Sequence, residues 1–164
     1  MSSARPTIAL QANSPLGRPT MSEAAKRRIV AAPQQRVWDV LADPHHMPRW
    51  WPGTKRVEDP REDRWTQVFM TKRGRPVRAD FHLLVSEAPW RRCWAQDVVG
   101  TPFERVLAES IIDVTLAPDN GGTLVTIVQR QKLRGYSRTG GLMLRRATNR
   151  KLDEALEGLA RACG

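Results

Sequence analysis

Cysteine is scarce: the chain has two, Cys93 and Cys163. They are too far apart for a zinc knuckle and too few for a disulfide scaffold. Cys93 lies in strand-like sequence and Cys163 at a fraying end, and both suit a reducing cytoplasm. Long apolar runs are missing as well. No stretch approaches the roughly 18 to 20 residues that a membrane helix needs, and the opening MSSARPTIALQANSPLGRPT has no apolar core of secretory-signal length. That opening, rich in Ser, Pro and small residues, reads as a disordered lead over residues 1–22. Periodic sequence begins at MSEAAKRRIV, which leaves Met21 as an alternative start to Met1. Acids are outnumbered, 17 Asp and Glu against 27 Lys and Arg, for a net charge of +10. Such a charge suits an anionic partner. The arginines run from Arg5 to Arg161, however, as they do on a solvated basic surface, and predict no specific nucleic-acid partner.

What is present suits one domain over residues 23–164, since 164 residues with 40% hydrophobic content can build a real core. AAKRRIVAA has strand character at Arg28 to Ala31. APQQRVWDVLADP is a helix, with Pro33 suited to its first turn, Val37, Val40 and Leu41 on one face, and Pro44 as its stop. PHHMPRWW is short enough for a second small helix or turn. Strands follow: RWTQVFMTKRG turning at Gly74, RPVRADFHLLVSE, RRCWAQDVV, FERVLAESIIDVTLAP and TLVTIVQRQKL. On the second of these Val77, Ala79, Phe81, Leu83 and Val85 alternate with Arg78, Asp80 and His82. On FERVLAESIIDVTLAP the face holding Val106, Ala108, Ser110, Ile112, Val114 and Leu116 opposes Arg105, Glu109 and Asp113. DNGG at 119–122 predicts a hairpin, and Val125, Ile127, Gln129 and Leu133 then oppose Arg130 and Lys132. From about Gly141 to Ala162 a long helix carries Leu144, Thr148, Leu152, Ala155, Leu156 and Leu159 as one stripe.

Antiparallel strands with one dry face, covered by segregated helices, define an α+β domain. One helix about 10 Å wide cannot fill the concavity of a strongly curved sheet. The remaining space is either plugged by side chains or left as a pocket.

IVAAPQQRVWDVLADPHHMPRWWPG, GTLVTIVQRQKLRG and LMLRRATNRKLDEALEGLA together resemble the START-like superfamily of helix-grip proteins, in its polyketide cyclase/dehydrase-type SRPBCC branch. The resemblance runs from about Ala25 to Ala162. It implies a seven-stranded curved antiparallel sheet gripping the C-terminal helix around a hydrophobic cavity, with two short helices after the first strand. Members bind lipids, sterols or polyketides, and some catalyse cyclisation or dehydration. They share no universal catalytic motif that maps onto this chain, so fold alone argues weakly for activity.

The expected function is therefore binding of an apolar small molecule, lipid or polyketide-like, between sheet and terminal helix. No cofactor or metal is expected. Adjacent His45 and His46 point about 100° apart on a helix and have no third ligand beyond Asp43. The resemblance puts Trp50 and Trp51 near the cavity entrance, one in the core and one at the opening. Phe69, Phe81, Trp94, Val106, Ile112, Ile127, Leu142 and Met143 are the expected apolar lining. Ser110, Gln129 and either Gln96 or Asp97 are the polar candidates to orient a ligand. A cyclase or dehydratase would need an inward acid or base: Asp97, if it faces in, or His82, which alternation places on the wet side. Arg138, Arg145, Arg146, Arg150 and Lys151 form a basic stretch without an acid until Asp153, a second candidate surface for an anionic lipid or other partner.

Overall fold

The computed structural model describes residues 20–135 and 138–164. β1 (Thr20–Val30) leads into α1 (Gln34–Ala42), a 3-10 turn at Pro44–His46 and α2 (Met47–Trp50). Six strands follow: β2 (Thr54–Glu58), β3 (Arg64–Met70), β4 (Pro76–Glu87), β5 (Arg91–Gln96), β6 (Leu107–Asp119) and β7 (Gly122–Leu133). A long helix, α3 (Arg138–Cys163), completes the order. The sheet is antiparallel throughout, in the order β1-β7-β6-β5-β4-β3-β2. β2 to β7 form a meander, whereas β1 pairs with β7, so α1 and α2 carry the chain from one edge of the sheet to the other. This is the expected α+β architecture, seven strands around a C-terminal helix.

The alternation that defines the dry face is clearest on β7, where Val125, Ile127, Gln129, Gln131 and Leu133 are buried and Arg130 is exposed. Ser110, Ile112, Val114 and Leu116 continue that face on β6. α3 lays Leu152, Ala155, Leu156 and Leu159 against it, each large side chain contributing about 1.5–3 kcal/mol by leaving water. Asn120 and Gly121, with φ of 44° and 84°, make the predicted two-residue hairpin turn, which requires positive φ at both positions. The outer face is held by ion pairs. Arg91 grips Asp113 through two hydrogen bonds of 3.0 and 2.8 Å, Arg130 reaches Glu23 at 2.9 Å, and Lys132 reaches Glu109 at 2.7 Å.

Besides the one between Thr54 and Arg56 on edge strand β2, two register shifts, between Leu83 and Val85 against β5 and between Leu107 and Glu109 against β7, insert an extra residue and bend the sheet. The second also breaks the expected long strand. Phe103 and Arg105 lie in a 3-10 turn at Pro102–Arg105, Val106 precedes β6, and Leu107 is buried in its place. β1 is longer than the segment read from its apolar end. It begins at Thr20, inside the segment read as a lead, whose residues 1–19 lie outside the described residues. Cys163 is not frayed: it is the last residue of α3 and is buried against the core. Burial pushes both thiols above the usual range. Among the described residues no helix is long and apolar enough to cross a membrane.

Candidate functional site

α3 covers the dry face incompletely. What it leaves is a cavity of about 330 Å³ lined from β3, β4, β5, β6, β7, the turn at Pro102–Arg105, and the middle of α3. The volume lies at the low end of the roughly 300–1,000 Å³ typical of small-molecule sites. Val77, Ala79 and Phe81 enter it from β4 by the period of two, with Phe69 and Met70 from β3 and Phe103 from the turn. Trp51 closes it from the α2 side. Its ring is held edge-on by Trp50 (5.4 Å between centroids) and Trp94 (6.1 Å). Trp65 backs Trp94 at 6.0 Å and stacks on Phe81 at 6.1 Å. The aromatic wall is therefore fixed from behind, with one surface turned to the cavity.

Three polar side chains form the floor: Gln96 on β5, Ser110 on β6 and Gln129 on β7. Gln129 Nε2 donates a long hydrogen bond of 3.4 Å to Ser110 Oγ. Among the described residues, Gln129 Oε1 and Gln96 Nε2 are buried without any hydrogen-bond partner. A buried polar atom left unmatched costs about 1–3 kcal/mol. The two floor glutamines thus line the cavity while each keeps one hydrogen-bonding atom buried and unmatched beneath its surface.

Lys151 lies opposite, on α3, half-buried, with its Nζ 5.1 Å from the centroid of Trp51. Desolvation lowers its pKa from the ordinary 10.5 to about 8. No carboxylate among the described residues pairs with it. The expectation that Lys151 belongs to an outward basic stretch is corrected here: its side chain lines the cavity. Arg145, Arg146 and Arg150 are exposed, and the Arg138 side chain lies outside the described residues.

Of the expected lining residues, the structure brings Trp51, Phe69, Phe81, Ser110, Ile112 and Gln129 together around the cavity. The others lie elsewhere. Trp50 packs beneath α3, Trp94 and Ile127 are fully buried in the layer behind the cavity wall, and Val106 sits at the end of the 3-10 turn, 39% exposed. Leu142 and Met143, on the first turns of α3, are 52% and 67% exposed, because the stripe facing the sheet runs through Leu144 and Thr148 and both residues lie off it. Sequence reasoning missed Lys151, Phe103, Met70 and Thr71, and placed Val77 and Ala79 on one strand face without assigning them to the cavity. Helical spacing was the available signal for Lys151, which stands three residues after Thr148 and four before Ala155.

The choice between Gln96 and Asp97 is settled by register. Gln96 pairs with Phe81 and faces inward. Asp97 faces out and bonds His82 Nδ1 at 2.5 Å. That pair sits in a separate outer groove of about 670 Å³ with Leu84, Val99 and Ile111, across the sheet from the cavity. Asp43 caps the 3-10 turn by accepting from the His45 backbone N–H at 2.9 Å, and it also meets the His45 ring. The two hydrogen bonds to His45 hold its carboxyl below the usual range against the opposing effect of burial.

A bent antiparallel sheet closed on a C-terminal helix, with an apolar cavity between them, defines the helix-grip class of ligand-binding domains. Residues 21–164 match the family described as polyketide cyclase / dehydrase and lipid transport, and the chain belongs to that family. Its fold is similar to that of the di-domain ARO/CYC StfQ from the steffimycin biosynthetic pathway (14% identity, TM-score 0.67). The match covers 87% of this chain and 49% of that one, so the chain spans about half of StfQ. It is also similar to protein CV1439 from Chromobacterium violaceum (19% identity, TM-score 0.66, 85% and 95% covered). TTHA0849 from Thermus thermophilus gives 19% identity and a TM-score of 0.68, with 87% and 97% covered. At these identities the likeness concerns the fold. No curated protein sequence matches the chain.

Proposed function

We propose that this protein binds an oxygen-bearing apolar small molecule in the cavity between the sheet and α3. The observation that carries the reading is the pairing of an apolar wall with three polar side chains at its floor, Gln96, Ser110 and Gln129, of which Gln96 and Gln129 each keep a buried hydrogen-bonding atom without a partner. Phe69, Phe81, Phe103 and Trp51 supply affinity by excluding water, at about 25 cal/mol per Å². The floor supplies orientation: Gln96 donates to a ligand carbonyl and Gln129 accepts from a ligand hydroxyl. A polyketide-like aromatic ketone or an oxygenated lipid has this chemistry. The family description, with its cyclases and lipid carriers, supports the same range of ligands. A cyclase or dehydratase reaction in the cavity has Lys151 as its one ionisable lining group among the described residues. Binding requires no such group.

Titration calorimetry with a hydroxyanthraquinone and with anthracene tests it. The oxygenated ring is expected to bind one-to-one and more tightly than the hydrocarbon. Gln129→Leu should remove about fivefold to tenfold of that preference, the worth of a single neutral hydrogen bond, without weakening the hydrocarbon. Absence of binding by both compounds overturns the proposal.

A further inference from the structure

An ammonium group in an apolar cavity is costly unless something matches it. Lys151 stands in that position. The face of Trp51 attracts its Nζ at 5.1 Å, and such contacts supply only part of what water would. The charged groups on the described elements around it lie outside the cavity. Lys26 on β1 pairs with Asp153 of α3 at 3.2 Å. Arg49 on α2 shares a separate groove with Glu154, Glu157 and Arg161. Arg36 on α1 acts near Cys163, and Arg130 and Lys132 on β7 pair with Glu23 and Glu109 on the outer face. Desolvation is what lowers the Lys151 pKa, and among the described residues no other ionisable side chain lines the cavity beside it. A lysine on a helix flank ordinarily extends its ammonium into water. This one lines the cavity opposite the polar floor.

We propose, resting on the cavity reading above, that the ligand carries an acidic group, a carboxylate or equivalent anion, that pairs with the Lys151 ammonium beside Trp51. The ligand is then an amphipathic acid: an apolar body against Phe69, Phe81 and Phe103, an anion at α3, and an oxygen at Gln96 and Gln129. At neutral pH the ammonium form predominates, because the lowered pKa of about 8 is still above 7. Anion binding satisfies the charge and draws the Lys151 pKa back upward.

Two fluorescent probes that share one ring skeleton separate this inference from the cavity reading: anilinonaphthalene sulfonate and N-phenyl-naphthylamine, which lacks the sulfonate. The wild-type protein should bind the sulfonate tighter by about tenfold or more, the worth of a charge-assisted hydrogen bond. Lys151→Met, which keeps the length and apolar bulk of the side chain, should bind both probes alike. The sulfonate stays ionised throughout, so loss of its binding to the wild type as pH rises beyond 8, with no such loss in Lys151→Met, reports Lys151. The neutral probe should show no such loss. Equal binding of the two probes by the wild type, with no pH dependence, overturns the acid preference and leaves the cavity reading standing. Failure of both probes to bind overturns the two together.

Discussion

Folding places the Lys151 amine among apolar groups, and the free energy of that placement depends on whether the amine is protonated. The pKa falls from 10.5 to about 8 on folding, so between these values the unfolded chain binds more protons than the folded one. Stability therefore rises with pH across that window. Below about pH 8 the ammonium is present in both states and the penalty applies in full. Each pH unit of displacement corresponds to about 1.4 kcal/mol, which bounds the effect near 3 kcal/mol. Lys151→Met is expected to be more stable than wild type at pH 7 and to lose that advantage progressively toward pH 10.5. Urea denaturation of both proteins across this range checks it, and a stability difference that does not change with pH contradicts the desolvated placement. A stabilising substitution at a position that serves the ligand is the expected mark of a functional residue.

Among the elements, the contact between α2 and α3 sets the shape of the site. A Cβ at Gly158 would lie 2.5 Å from the Trp50 carbonyl oxygen and 2.8 Å from its Cα. Glycine there lets the long helix cross directly over the backbone next to Trp51. Gly158→Ala gains about 1 kcal/mol of helix propensity but forces two backbones apart, and overpacking of that kind costs about 1–3 kcal/mol. The rigid backbone contact decides the sign, so the variant should be less stable in urea and should bind ring ligands more weakly as Trp51 shifts. The same scale shows what a sequence can convey. β4, β6 and β7 are legible because their inward rows, largely apolar, recur at every second position, and α3 because its leucines repeat at helical spacing. β1 was legible only at its end, since Lys26 and Arg28 occupy inward positions and Lys26 is matched by Asp153 across the helix. β2, TKRVE, has one apolar residue in five and takes its strand form from pairing with β3. The start of β6 was misread because a bulge at Leu107–Glu109 reverses the facing of every residue before it. The polar floor was anticipated from Ser110 and Gln129, but only the β4–β5 register decides that Gln96 and not Asp97 completes it.

For the whole molecule, the cavity is apolar space that the core leaves unfilled, and unfilled space lowers stability by forfeiting packing contacts. Ala79 makes this testable. It lies on β4 between Val77 and Phe81 in the inward row, lines the cavity, and is the smallest side chain there. Ala79→Phe projects a ring into space that α3 and the sheet leave open and adds buried apolar surface worth about 1–2 kcal/mol. It should raise the thermal midpoint while reducing one-to-one binding of the hydroxyanthraquinone and of both naphthyl probes to near background. The alternative is that ring ligands attach elsewhere, for instance in the outer groove beside Leu84, Val99 and Ile111. In that event Ala79→Phe would stabilise the fold and bind the same compounds unchanged, because the outer groove is on the opposite face of the sheet. Stability gained together with binding lost is the signature of a cavity kept open for a guest, since a core under selection for stability alone would have closed it with a larger residue at this position.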